Sequence, residues 1–291
     1  MRIPRKSLAA SLTAALALGV TTSANADGVT DQVSQLWNHI SPSLQKSDQK
    51  KKASLFTQVT TYDLDNSPVV PAFPAEVVRI DFPAEMKYKA NKFLDKCDPT
   101  VAAFATGTTD EAVGLCQKSL VGTGHAIARF AGFPQENTET ELTVTAFNGE
   151  QSEAGDQDSA QVPTGGFEGN NPTIILHADN ALVDTTVVLG EVRDSPNGPD
   201  YGSQLNVTDA PDVAADTGAL VLFNAQIQKK YTNGKKGDRK KVFHLIAANC
   251  APGDGDWDFQ AAWTYDDGTT DTDVNNNATA VTQGATDCTV K

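Results

Sequence analysis

From Ser54 onward, hydrophobic and polar residues alternate with a period of two. Leu55, Thr57, Val59 and Thr61 fall on one side of an extended chain, and Phe56, Gln58, Thr60 and Tyr62 on the other. That alternation predicts a strand. A second strand is predicted over 76–82, with Val78, Ile80 and Phe82 on one face. Segments 88–97 and 109–117 break the period and read as short helical or irregular inserts, each carrying one cysteine. Strands resume at 125–130 and at 141–148, where Leu142, Val144 and Ala146 alternate with polar residues. The polar, Gly-rich stretch 148–171 reads as a loop outside the core. Further strands are predicted at 173–178, 185–192, 203–208, 219–231, 241–249 and 257–265. In the last of these, Trp257, Phe259, Ala261, Trp263 and Tyr265 share one face, a core-facing stripe. Segment 30–40 reads as a short helix: Val33, Leu36, Trp37 and Ile40 recur at i, i+3, i+4 and i+7, with Thr30 as N-cap and Ser41-Pro42-Ser43 as the stop. Segment 45–52 is polar and basic, a linker.

Short strands separated by Gly, Pro and Asp turns, with no helices alternating between them, predict an all-β fold. The expected architecture is an antiparallel β-sandwich or jelly-roll-like domain with short helical inserts. The expected domains are a signal peptide over 1–26, a short helix and linker over 27–52, and the sandwich over 53–291.

The N-terminus has the three-part order of a secretory signal. Arg2, Arg5 and Lys6 are followed by the uncharged Ala- and Leu-rich run 7–20 and then by Ala24-Asn25-Ala26. That run is too short to span a bilayer. No cysteine precedes Cys97, which removes lipid attachment at the cleavage site. Cleavage after Ala26 and release to the periplasm or medium are expected, with no membrane span in the mature protein. Removing three basic and no acidic residues moves the net charge from −14 to −17. Such a chain repels nucleic acid and anionic surfaces except where basic residues gather locally.

Cys97, Cys116, Cys250 and Cys288 are even in number, and in an exported chain they read as two disulfides. Three connectivities exist; Cys97–Cys116 and Cys250–Cys288 are favoured because each pair lies within one local segment. No two cysteines have the short spacing of zinc ligands.

Several motifs together resemble a group of secreted β-rich actinobacterial proteins of the Solirubrobacter kind. They are Lys52-Ala53-Ser54-Leu55-Phe56, Val77-Val78-Arg79-Ile80-Asp81-Phe82-Pro83, Cys97 and Cys116, Ser119-Leu120-Val121-Gly122-Thr123-Gly124-His125-Ala126, Ala146-Phe147-Asn148-Gly149 and Asp267-Gly268. The resemblance spans about residues 52–270 and departs at Gln117, where the group often has Pro. It implies export and the Cys97–Cys116 pairing, and it brings no activity with it.

Candidate chemistry is sparse. His39, His125, His177 and His244 show no metal-ligand spacing. Asp179 follows His177 by two residues on the same strand face, an orienting pair or a half-buried structural histidine. There is no Gly-x-Ser-x-Gly elbow, and Ser119 with the glycines after it reads as a turn. Asp254, Asp256, Asp258, Asp266 and Asp267, followed by Asp271 and Asp273, suggest calcium held at a sandwich rim or, on the other reading, solvated turns. The loop starting at Asp254 has Phe259 and Tyr265 where a calcium hand needs Gly and Glu. Lys229, Lys230, Lys235, Lys236, Arg239, Lys240 and Lys241 cluster around Thr232-Asn233-Gly234, a basic hairpin on an acidic body. Its candidate partners are a cell-wall polymer or glycan, and its bland reading is a solvated, aggregation-resistant tip. Together these features predict a secreted, non-enzymatic binding or structural domain. The alternative is a jelly-roll hydrolase acting on polysaccharide through two facing carboxylates.

Overall fold

The computed structural model describes residues 32–41, 44–45, 51–63, 75–89, 95–130, 139–154, 166–180, 183–208, 218–227, 230–233, 241–244, 246–248, 257–265, 270–275 and 289–290. The expected signal peptide, Cys250, Cys288, Asp254, Asp256, Asp266 and Asp267 lie outside these residues. So do Lys229, Lys235, Lys236, Arg239 and Lys240 of the basic cluster.

The chain begins with strands β1 (Gln32–Ser41), β2 (Leu44–Gln45), β3 (Lys51–Asp63), β4 (Ala75–Pro83) and β5 (Lys87–Tyr88). Two short helices follow, α1 (Ala102–Ala105) and α2 (Thr109–Cys116). Then come β6 (Leu120–Phe130), β7 (Glu139–Gln151), β8 (Pro172–Asn180), β9 (Val183–Arg193), β10 (Tyr201–Val207) and β11 (Gly218–Ile227). The chain closes with β12 (Lys230–Asn233), β13 (Lys241–His244), β14 (Ile246–Ala248), β15 (Phe259–Tyr265), β16 (Thr270–Asn275) and β17 (Thr289–Val290). The fold is mainly antiparallel β with few short helices, the predicted class.

One sheet holds most of the strands, in the order β16-β15-β4-β10-β9-β8-β7-β6-β11-β3-β14-β5, and β1 pairs with β3. β1 also lies alongside β16 at the far end of that path, so the sheet curls until it nearly closes on itself. The two layers of the fold are thus halves of one continuous ladder. β12 and β13 form a separate hairpin, and β2 and β17 pair in parallel.

Closure gives the sheet an inner face that must be apolar. Leu36, Ile40, Leu55, Ile80, Phe82, Ala146, Ile174, Val192, Ile227, Phe259, Ala261 and Trp263 are buried in one cluster. Ala126, Ala128, Leu142 and Val144 extend it. The core-facing stripe of β15 is as its alternation predicts, with Trp257, Phe259, Ala261 and Trp263 all buried.

The predicted helix over 30–40 is instead strand β1, paired residue for residue with β3 from Gln32↔Asp63 to Ser41↔Ser54. Leu36, Asn38 and Ile40 are buried, while Trp37 packs edge-on against Phe56, ring centroids 4.9 Å apart. The period-two signal was masked because the inward face includes the polar Asn38 and the outward face the large Trp37. A second correction concerns Val121-Gly122-Thr123-Gly124, expected as a turn and found inside β6. A Cβ on Gly124 would overlap the carbonyl oxygen of Asn224, and one on Gly122 that of Gln226. A register shift lies beside Gly122, at Leu120/Gly122 in the pairing of β6 with β7, and a separate one lies at Leu220/Leu222 in β11, opposite Ile127 and Ala128. Glycine here permits close approach of the neighbouring backbone of β11. A third correction concerns 148–171. β7 continues to Gln151, and Ser152 and Phe167 are buried, so this stretch contributes to the packed structure.

Cys97 and Cys116 form a disulfide with Cα atoms 5.5 Å apart, and it closes a segment of sequence separation 19 that contains both helices. Gly124→Ala is expected to cost about 2 kcal/mol in urea unfolding, the penalty of overpacking. The neighbouring exposed Thr123→Ala should stay within about 0.5 kcal/mol; equal effects at the two positions would refute the close-approach argument. Replacing both Cys97 and Cys116 by Ser is expected to lower stability by about 3 kcal/mol, the chain-entropy value for a loop of this length.

Candidate functional site

Alternation along each strand separates an inner from an outer side. On β8, Ile174 and Leu176 point inward, and Ile175, His177 and Asp179 outward. On β9, Val192 is inward and Glu191 and Arg193 outward. On β4, Ile80 and Phe82 are inward and Arg79 and Asp81 outward. On β10, Leu205 is inward and Gln204 and Asn206 outward.

The inner side encloses a cavity of about 60 Å³. Its lining comes from β3, β4, β8, β9, β10, β11 and β14 together with Met86 and Tyr88, and is hydrophobic apart from Thr57 and the Tyr88 hydroxyl. That hydroxyl donates to Asn148 Oδ1 at 3.1 Å. Burial raises the Tyr88 pKa, so the group stays neutral. The lining therefore brings no charge to the cavity.

The outer side is covered in two different ways. Over β7, β8 and β9 the cover is apolar. Phe104 of α1 packs edge-on against Phe147 and against His177, both with ring centroids 5.2 Å apart. Cys97, Ala112, Phe147 and Ile175 complete this second core. Polar contacts tie the insert down: the Thr109 N–H donates to Asp179 Oδ2 at 2.9 Å, and Thr185 Oγ1 donates to the Gly107 carbonyl at 2.7 Å. The Thr108 side chain and Glu111 form a capping box at the start of α2. Thus Asp179 holds the N-terminus of α2, while His177 is fully buried with no hydrogen-bond partner at either ring nitrogen. Desolvation lowers the His177 pKa, and Asp179 and the carbonyls of Gly107 and Phe104 offset this only in part.

Over β4, β10 and β9 the cover is polar. Register places Asp81, Gln204 and Arg193 in one cross-strand row and Arg79, Asn206 and Glu191 in the next. Each row has an acid at one end, a base at the other and an amide between them. Gln204 Nε2 donates to Asp81 at 2.9 Å while its Oε1 accepts from Arg193 Nε at 3.0 Å and Nη2 at 2.8 Å. Arg79 Nε donates to Asn206 Oδ1 at 3.1 Å. Burial first, and the Arg193 charge second, hold the Arg79 guanidinium below its ordinary pKa, with Asp81 opposing.

Two loops are pinned to this layer. Ser195 Oγ and Asn197 Nδ2 donate to Asp81 at 2.6 and 2.7 Å. Glu191 accepts from Ser152 Oγ at 2.5 Å, from the Glu168 and Gly169 N–H groups at 3.0 Å each, and from Asn171 Nδ2 at 3.2 Å. Arg193 Nη1 and Glu168 Oε1 form an ion pair at 3.2 Å. Asp81 and Glu191 are the buried acids among the described residues, and each is surrounded by donors from the chain itself. Nothing in the periodicity of β4 or β9 marks these two acids as buried; the signal available was the facing register of oppositely charged residues, which sequence alone does not fix.

Of Asp254, Asp256, Asp258, Asp266 and Asp267 only Asp258 is described, and with Asp81 and Asp200 its charge raises the pKa of the partly buried Tyr201, after burial itself. Asp271 and Asp273, expected in a loop, lie in β16 opposite Trp263 and Ala261. No three His, Cys, Asp or Glu side chains group as metal ligands among the described residues. His125 lies 3.6 Å from Glu141 on the sheet exterior, opposite Thr143, whose other partner is Asp179, two residues along β8 from His177.

β12 and β13 pair with each other, but the turn between them is not the two-residue Asn-Gly turn. Tyr231 pairs with Phe243, Thr232 with Val242 and Asn233 with Lys241, which leaves 234–240 between the strands. A two-residue turn would oppose Tyr231 and Thr232 to lysines; the observed register opposes them to an aromatic and a β-branched residue. No helix among the described residues is long and apolar enough to cross a membrane. No family model, curated protein or solved structure matches this chain.

The depressed pKa of His177 fixes the sign of a pH effect. The unfolded chain takes up this proton near pH 6.5 and the folded chain only at lower pH. Between those values the unfolded state binds more protons, so this contribution is complete above about pH 7 and is lost as pH falls. His177→Leu should shrink the drop in urea midpoint between pH 7 and pH 5; an identical drop in both proteins would rule out this histidine as its source.

Proposed function

We propose that this is a secreted binding protein which holds a small apolar group inside its curled sheet. The observation that carries the reading is the uncharged, hydrocarbon-lined cavity of about 60 Å³. An apolar cavity of this kind stays dry, so an entering hydrocarbon displaces little ordered water. Each methylene buried there contributes about 0.8 kcal/mol. The buried acids support binding over polysaccharide hydrolysis, because Asp81 and Glu191 already accept hydrogen bonds from loops of the chain. Export is supported by the basic, apolar, small-x-small order of residues 1–26.

Hexanol is a suitable probe, followed by the methyl resonances of isoleucine. Ile80, Ile174, Ile227 and Ile246 line the cavity, whereas Ile127 packs with Val221 in a separate small cluster. The expected result is saturable shifts of the four lining residues with Ile127 unmoved. Ala225→Leu, which fills space at a lining position, should abolish those shifts while the protein still melts cooperatively. Shifts spread evenly over all isoleucines, or none at all, would overturn the reading.

A further inference from the structure

The two covers described above sit over β7, β8 and β9 and over β4, β10 and β9. The exterior of β1, β3, β11 and β6 carries a different surface. Leu55, Thr57, Ala225 and Ile227 line the cavity, so the residues between them face outward. Register builds two rows across that exterior. One runs from β1 to β7 through Trp37, Gln58, Asn224, His125 and Thr143. The other runs through His39, Phe56, Gln226, Thr123 and Thr145. His39, Thr123 and Thr143 are exposed and the others partly so, save Thr145, which is buried beside His177 at the border with the insert.

The rows divide by chemistry. Rings gather at the β1 and β3 end. Trp37 and His39 stack with centroids 6.4 Å apart, and Phe56 meets Trp37 edge-on at 4.9 Å. Amides and hydroxyls follow toward β6. Gln58 Nε2 donates to Thr60 Oγ1 at 3.5 Å, and among the described residues no hydrogen bond occupies the side-chain amides of Asn224 and Gln226. None of these positions holds Asp, Glu, Lys or Arg, on a chain with 37 acidic and 23 basic residues. Glu141, 3.6 Å from His125, and Asp179, engaged by the Thr109 N–H, stand at the border on β7 and β8. A charged partner finds no fixed opposite charge within the rows, whereas an uncharged partner loses nothing there.

We propose that this face binds an uncharged polysaccharide, a flat chain of equatorially linked pyranose rings. The C–H face of a ring rests on Trp37 or Phe56, and ring hydroxyls exchange hydrogen bonds with Gln58, Asn224, Gln226 and Thr123. Amides suit that task because each supplies both donors and an acceptor, as does every hydroxyl of the sugar. Four strand spacings separate β1 from β7, roughly 19 Å, which is the length of a few rings. The site lies on the opposite side of the sheet from the cavity and does not depend on what the cavity holds.

The test is electrophoresis of the purified protein through native gels that contain hydroxyethyl cellulose or, in parallel, polygalacturonate. Hydroxyethyl cellulose should retard the protein and polygalacturonate should not. Trp37→Ala should weaken the retardation by about tenfold. Asn224→Ala with Gln226→Ala, which leaves the inner face untouched, should weaken it by about tenfold with the melting temperature unchanged. If Trp37→Ala loses its cooperative melt, the amide variant decides alone. Equal mobility with and without hydroxyethyl cellulose overturns the proposal. So does equal retardation by polygalacturonate, and so does retardation that the amide variant leaves intact, since it places the glycan elsewhere on the molecule. A dimer in sedimentation that the amide variant dissolves, without retardation by the glycan, assigns the face to a second copy of the chain and overturns it as well.

Discussion

The near-closure of a single antiparallel ladder is the constraint on which the rest of this structure depends. When β1, paired to β3, comes alongside β16, one face of the sheet is turned inward along nearly the whole path. That face must be dry, because buried backbone groups are already satisfied by the ladder and have nothing to offer water. Within the ladder β6 and β11 approach too closely for any side chain at Gly122 and Gly124. The apolar cavity is a product of the same geometry. Side chains from seven strands, with Met86 and Tyr88, converge on a curved interior without filling it.

A curled sheet also has an exterior, and here that exterior is not left to solvent everywhere. Two solutions to covering it lie side by side. The disulfide-closed insert brings Phe104 onto Phe147 and His177, a hydrophobic cover like any small core. The rows of Asp81, Gln204 and Arg193 and of Arg79, Asn206 and Glu191 bring loops down through hydrogen bonds instead. Buried charges are tolerated only when their partners are present: Gln204 links Asp81 to Arg193 across the middle strand, Asn206 accepts from Arg79, and Glu191 takes its donors from the loops above it. The two covers differ in what unsettles them: acid acts on the first through His177, while the second depends on donors supplied by Ser152, Ser195 and Asn197.

Much of the architecture was legible in the sequence. The strands of the central ladder follow period-two alternation, and Trp257, Phe259, Ala261 and Trp263 are core residues as their spacing predicts. Pairing of Cys97 with Cys116 follows from their locality. β1 was misread because an inward Asn38 and an outward Trp37 break the alternation that period analysis depends on. β16 was missed because Asp271 and Asp273 resemble turn residues, although antiparallel pairing to β15 tolerates them. The cavity was not legible at all. It is assembled from strands distant in sequence, and no local pattern distinguishes a residue lining a void from one packed against a neighbour. The buried state of Asp81 and Glu191 was hidden for a related reason, since it depends on loops folding back over the sheet.

The cover over β7, β8 and β9 has a consequence for how this protein responds to its redox surroundings. The pairings of the main ladder are made by strands outside the segment that Cys97 and Cys116 close. Opening that bond returns conformational freedom to the unfolded insert and removes no backbone hydrogen bond between those strands. A reductant therefore acts on the cover and not on the sheet beneath it.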